Sequence, residues 1–303
     1  MISALLATTI AFARTLDDPR QVVRSLTGHS CGVLDKTMIV VGGDWGNDHT
    51  SLTVPFCLRL PDDWSTGPSV GRRCGFAGAA VVAGRIYVIG GIPEQEKCSA
   101  GVISWDGQAN SWHSHAAMPT PRNRLACADV GDFIYAIGGM DVRGNSCACE
   151  RYDTKNDSWV KLAPMPTPRH GHALVAIGER IFALGGEAGR SVGPVEVFDT
   201  KSGGWETWPS MPSDRLFFGA IAAEDAIYAF GGRTVGATPS WKLDLKTRKW
   251  SESEWPPPME RDRFACGVVA CADGSRDLVI VGGEDAHGQA VKDGVLRFRL
   301  PSN

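Results

Sequence analysis

The chain has 303 residues, 43% of them hydrophobic, enough to bury a large core in one domain or two. Thirty-one basic against 34 acidic residues give a formal net charge of −3, with both signs mixed along the chain, which argues against a dedicated nucleic-acid or anionic-membrane surface. No apolar run approaches the ~18 residues of a transmembrane helix, and nine cysteines at spacings unlike a small disulfide scaffold predict reduced thiols in a cytoplasmic setting.

The N-terminal stretch reads MISALLATTIAFARTLDD. Ile2, Leu5, Leu6, Ile10, Ala13 and Leu16 fit one helical face, so residues 1–20 are expected as a docked or linker helix. A second reading is a secretory signal over residues 1–13, in which Ala11 and Ala13 form a small-residue cleavage site before Arg14.

From residue 21 onward the chain repeats itself. Glycine pairs stand at Gly42 and Gly43, Gly90 and Gly91, Gly138 and Gly139, Gly185 and Gly186, Gly231 and Gly232, and Gly282 and Gly283, spaced by 48, 48, 47, 46 and 51 residues. Each pair closes a β-branched or aromatic run, in chain order TMIVVGG, RIYVIGG, FIYAIGG, RIFALGG, AIYAFGG and DLVIVGG, as a buried strand stopping at a tight turn should. Downstream follow Trp64, Trp112, Trp159, Trp205 and Trp250, and the last four are each preceded six residues earlier by Asp106, Asp153, Asp199 or Asp244. Aspartate, a polar stretch and tryptophan read as a strand end, a hairpin turn and the next strand. Each unit therefore supplies four short strands, the second ending in the glycine pair and the fourth starting at the tryptophan.

These residues resemble the kelch repeat, and the resemblance covers residues 21–300, with ERYDTKNDSW at 150–159 its clearest copy. Leu58 stands in the first unit where the aspartate is expected. A four-stranded sheet cannot bury both faces alone, so the units must stack around an axis as a propeller. The last unit ends after VLRFRL at 295–300 with no tryptophan strand, while QVVRSL at 21–26 sits where a fourth strand should be, one unit too early. The expected fold is all-β: a six-bladed propeller over residues 21–303, closed by an N-terminal strand that completes the last blade and covers its open edge.

Antiparallel alternation places the loop entering each first strand and the loop following each glycine pair on one face. Arg122, Arg169, Arg215 and Arg263 each lie four residues after a methionine, and Arg72 holds the matching place in the second blade. These five are expected to ring the central mouth, with Arg143, Arg190, Arg233, Trp45 and His170 joining them from the loops. Guanidinium forks grip carboxylates bidentately, so such a face suits an acidic peptide segment of a protein partner. The competing reading is structural: Asp44, Glu187, Glu284 and Asp285 follow glycine pairs directly and stand ready to pair with arginines of neighbouring blades.

No catalytic or metal motif stands out, and no cofactor is expected: Cys147 and Cys149 have a single residue between them, without the two-residue gap of a zinc site, and phosphate-loop and dinucleotide motifs are absent. The resemblance extends to the kelch domains of BTB-kelch substrate adaptors of ubiquitin ligases, without the BTB domain, and implies a non-enzymatic binding module for substrate recognition or scaffolding. The alternative it implies is a sugar epimerase or mutarotase using Glu187 with Arg169 or Arg190.

Overall fold

A computed structural model describes residues 26–45, 50–51, 55–60, 63–93, 96–189, 194–234, 239–285, 287–289, 291 and 294–300. It contains six antiparallel sheets ordered around one axis. The first blade comprises Ser30–Leu34, Thr37–Val41, Phe56–Arg59 and Asp63–Thr66, hydrogen-bonded in that order. Blades 2 to 5 repeat the four-strand meander, starting at Gly78–Val82, Ala126–Val130, Ala173–Ile177 and Gly219–Ala223. The described part of blade 6 has three strands, Ala265–Ala270, Arg276–Val281 and Val295–Arg299.

The first strands lie side by side around the axis, and that of blade 6 returns to that of blade 1. The seam is packed like the other interfaces. Met38, Phe56 and Leu58 of blade 1 meet Val269, Val279 and Val281 of blade 6, and His29 Nε2 lies 3.0 Å from Val281 O and 3.1 Å from Ala265 N, the tautomer selecting which of the two it bonds. QVVRSL as the strand closing blade 6 lies, apart from Leu26, outside the described residues, as does the expected N-terminal helix or signal. Leu26–Thr27 pairs with Asp44–Trp45 of the first blade's loop.

There is no single core. Six apolar clusters each straddle two consecutive blades. This explains why the second-strand runs are hydrophobic throughout: Ile86 and Val88 face blade 1, while Tyr87 and Ile89 face blade 3. At ~1.5–3 kcal/mol per fully buried large apolar side chain, each strand ties two interfaces at once.

The repeat residues have local physical duties. Asp106, Asp153, Asp199 and Asp244 each accept backbone N–H bonds from residues two and three positions on, which closes the turn between third and fourth strands. Trp112, Trp159, Trp205 and Trp250 each donate Nε1–H to a carbonyl of the preceding blade, at 2.9–3.1 Å. Blade 1 departs by register: Leu58 pairs opposite Trp64 and Arg59 opposite Asp63, so Arg59 occupies the aspartate's place on a shorter turn.

The glycine pairs sit where the next blade's chain crosses. Gly91 donates N–H to Arg122 O at 2.9 Å, and a Cβ on Gly90 would sit 2.5 Å from that same oxygen. Gly90 and Gly91 also have φ of 72° and 96°, which L side chains avoid.

Candidate functional site

The five arginines expected at the mouth separate into two classes. Arg122, Arg169 and Arg215 are 0%, 0% and 1% exposed. They do not line the mouth, and that expectation is corrected for all three. Arg122 donates to the carbonyls of Gly138, Ala148 and Ala136 and to Glu150 Oε2 at 2.8 Å. Arg169 donates to Gly185 O, Pro194 O and Glu196 Oε2. The guanidinium fan caps carbonyls where the second strand ends at the glycine pair, satisfying acceptors that burial would otherwise orphan. Arg215 reaches Gly231 O and Pro239 O with no carboxylate within 4.0 Å among the described residues, and burial lowers its pKa to about 10.

In blade 2 the expected match fails: Cys74 holds the place of Arg122, and the half-buried Arg72, two residues earlier, lays its guanidinium against Gly101, the counterpart of Ala148. In blade 6 the equivalent arginine is Arg261: Gly232 donates to Arg261 O, and Arg261 donates to Gly282 O at 3.2 Å. Counting four residues from Met259 therefore overshoots by two. Arg263 occupies a different and more central position.

That position lies two residues beyond the buried arginine in blades 3 to 6 and two beyond Leu26 and Cys74 in blades 1 and 2: Gly28, Phe76, Arg124, Gly171, Phe217 and Arg263. Each donates its backbone N–H to the carbonyl of its counterpart in the preceding blade, from Phe76 to Gly28 O at 2.6 Å around to Gly28 to Arg263 O at 3.2 Å, so six peptide bonds close a hydrogen-bonded ring about the axis. All six have positive φ, including 55° at Phe76, 50° at Arg124, 53° at Phe217 and 54° at Arg263. Non-glycine residues hold this conformation at a cost, and strain of this kind clusters at binding sites.

The ring side chains gather at the mouth. Phe76 and Phe217 have centroids 6.0 Å apart. The Arg124 guanidinium lies 5.0 Å from the Phe76 centroid, and that of Arg263 lies 6.0 Å from Phe76 and 5.5 Å from Phe217. Burial, reinforced by the Arg263 charge, lowers the pKa of Arg124 below the ordinary guanidinium value. Among the described residues Arg124 has no carboxylate within 4.0 Å, and its Nη1 reaches only Met140 Sδ at 3.2 Å. Arg263 by contrast bonds Glu284 Oε2 at 2.7 Å.

Around this centre lies a polar rim. His170 joins Asn145 Oδ1 through Nδ1 at 2.8 Å; since Asn145 Nδ2 donates to Glu187 O, the histidine is the donor there and presents Nε2 towards Glu187, 4.0 Å away. Its ring edge meets Phe217, and burial lowers its pKa. Arg233 pairs with Asp262 at 2.8 Å and approaches Glu284 at 4.0 Å, which realises the structural pairing expected of Glu284. Arg143 and Val142, at the tip of the hairpin Met140–Asp141 and Gly144–Asn145, project outward, Val142 being 75% exposed. Arg190 and the Trp45 side chain lie outside the described residues. The sequence reading missed Arg124, Phe76 and Phe217. A usable signal was present: they stand 14 residues before their glycine pairs, against 16 for Arg122, Arg169 and Arg215.

Two catalytic arrangements fail on geometry. Ser104 Oγ lies 2.7 Å from His115 Nε2, and His115 Nδ1 lies 3.8 Å from Asp157 Oδ1, a serine–histidine–aspartate order. Ser104 is 0% exposed, and the same Asp157 oxygen accepts Tyr152 OH and Ala116 N–H, so the set joins two blades rather than meeting a substrate. Of the epimerase pairs, Glu187 with Arg169 is not assembled, because Arg169 is buried and committed to Glu196, and Glu187 with Arg190 lies outside the described residues. Among the described residues no group of three His, Cys, Asp or Glu side chains is placed to hold a metal ion, and burial pushes the Cys31 and Cys149 thiols up to about 12.

A six-bladed ring of repeats with a polar central mouth defines the class, a kelch-type β-propeller. The family model for the KLHDC2/KLHL20/DRC7 Kelch-repeats domain matches residues 28–232, and the chain belongs to the kelch-repeat family. It is similar to an F-box/kelch-repeat protein of Arabidopsis thaliana, 32% identical over 131 residues that make up 40% of this chain and 33% of the relative. It is likewise similar to Kelch repeat and BTB domain-containing protein 1 of Cowpox virus, 29% identical over 33% of this chain and 18% of the relative. Kelch-like ECH-associated protein 1A of Danio rerio is 33% identical over 25% of this chain and 13% of the relative. The chain thus aligns with a third or less of the length of each.

Proposed function

We propose that the chain is a non-enzymatic protein-binding module whose central mouth captures an acidic segment of a partner protein. The observation that carries this reading is Arg124: a partly buried guanidinium at the axis, repelled by Arg263, with no carboxylate within 4.0 Å among the described residues and only Glu187 acting on it from further off. Positive charge so weakly compensated in a partly desolvated site favours an anion. Phe76 and Phe217 add apolar surface, and the hairpin tip with Val142 and Arg143 offers a second contact at the rim.

The kelch relatives named for F-box or BTB domains support a protein partner, and we extend the proposal to substrate recognition linked to ubiquitination, or to scaffolding, in the cytoplasm. The direct test is an array of acidic and charge-neutralised peptides probed with the full chain, with affinities followed by fluorescence anisotropy. Acidic peptides should bind, weaken with salt, and lose binding to Arg124→Glu. Equal binding of neutralised peptides, or unchanged binding by Arg124→Glu, contradicts the reading.

A further inference from the structure

The ring at the mouth has a second regularity. In blade order it reads Gly28, Phe76, Arg124, Gly171, Phe217, Arg263, that is, glycine, phenylalanine, arginine, twice over. In a six-bladed ring, blades three apart face each other, so the two arginines oppose one another across the axis, as do the two phenylalanines. The pattern continues one residue further on, where His29 and His172 lie in the opposed blades 1 and 4.

These side chains line a hollow of about 140 Å³ that is open to the outside and has room for a compact group. The six backbone N–H groups around it are spent on the ring itself. Donors for a guest must come from side chains: the Nε–H groups of Arg124 and Arg263 are buried without a hydrogen-bond partner among the described residues, and the neutral rings of His29 and His172 bring at most one N–H each. His172 is only 7% exposed. Buried donors are normally satisfied, and since Arg263 already holds Glu284 through Nη1, the Arg124 guanidinium and the Arg263 Nε–H are the donors that a negative guest would satisfy.

We infer that this axial cavity seats one compact oxyanion, held between Arg124 and Arg263 over the His29 and His172 rings, with Phe76 and Phe217 excluding anything broader. The inference rests on reading the mouth as an acidic-partner site and narrows it to a single anionic group. That group is either a free ion such as inorganic phosphate or a carboxylate projecting from a bound peptide.

The test is titration calorimetry on the full chain with inorganic phosphate against chloride at equal ionic strength, followed by competition between phosphate and an acidic peptide. Saturable phosphate binding at one site, weakened at least ~10-fold by Arg124→Gln and by His172→Phe, each with an unchanged melting curve, supports the inference. Phosphate binding that displaces the peptide places both sources in the same seat. An adventitious ion only, meaning the same weak heat in wild type and both variants, overturns it. Peptide binding with no phosphate binding or competition also overturns it while leaving the acidic-partner reading intact, and absence of both sinks the two together. Should Arg124→Gln fold poorly, His172→Phe still decides, because Phe218 and Phe264 already occupy that place in blades 5 and 6.

Discussion

Arg122 and Arg124 are two residues apart and live in different physical worlds. Arg122 is sealed between blades against Glu150 and three carbonyls, while Arg124 stands at the axis with a sulfur for its nearest partner. The same contrast runs around the molecule: an interior layer of arginines that fastens strand ends, and a central layer in strained backbone that offers charge to the outside. The difference teaches that residue type alone does not assign a role in a repeat protein. Its phase relative to the glycine pair does.

The contrast breaks most visibly at the interior layer. Arg169→Ala should cost ~3–5 kcal/mol, because it strands the Glu196 carboxylate in a buried site, and urea denaturation measures it. Reversing Arg169 and Arg215 to glutamate should unfold the ring rather than remove a binding surface. At the central layer, Arg124→Glu should weaken capture of an acidic peptide by about 100-fold while shifting stability by less than ~1 kcal/mol, as anisotropy and melting curves on one preparation would show. A difference within the interior layer sharpens the comparison: Arg215 has no carboxylate to orphan, so Arg215→Met should cost ~1–3 kcal/mol, less than Arg169→Ala.

The smallest effect concerns pH. Burial holds His29 at about 4 and His172 at about 3, below the ordinary histidine value of 6.5. The unfolded chain therefore binds protons that the folded chain refuses. Stability from these two groups is full above pH 6.5 and declines as pH falls towards 4, where the remaining loss tapers as His29 and then His172 accept protons. His172→Phe should flatten part of that decline in melting temperature, and an unaltered slope would show that other groups dominate.

Much of the fold was legible. The glycine pairs, the tryptophans and the aspartates are spaced by covalent geometry that every blade must obey, so they announce the repeat and the blade count. The mouth was less so. Counting from methionine placed Arg263 beside Arg122, whereas the segment from Met259 to the buried Arg261 is two residues shorter than that from Met118 to Arg122. Burial of Arg122, Arg169 and Arg215 depends on carboxylates and carbonyls supplied by later strands, and a local pattern carries no trace of that. Arg124 lies in the phrase RNR at 122–124, where the nearer arginine satisfied the expected spacing and concealed its neighbour.

The account turns on whether folding and binding are carried by separate arginines. Arg124→Gly tests this most directly, since Gly28 and Gly171 already hold the same positive-φ place in blades 1 and 4. Measured for melting temperature and acidic-peptide affinity together, the variant should melt at or above wild type, with any relief of strain worth about 1 kcal/mol, and should no longer bind. A variant that binds as wild type does, or that fails to fold, contradicts the division.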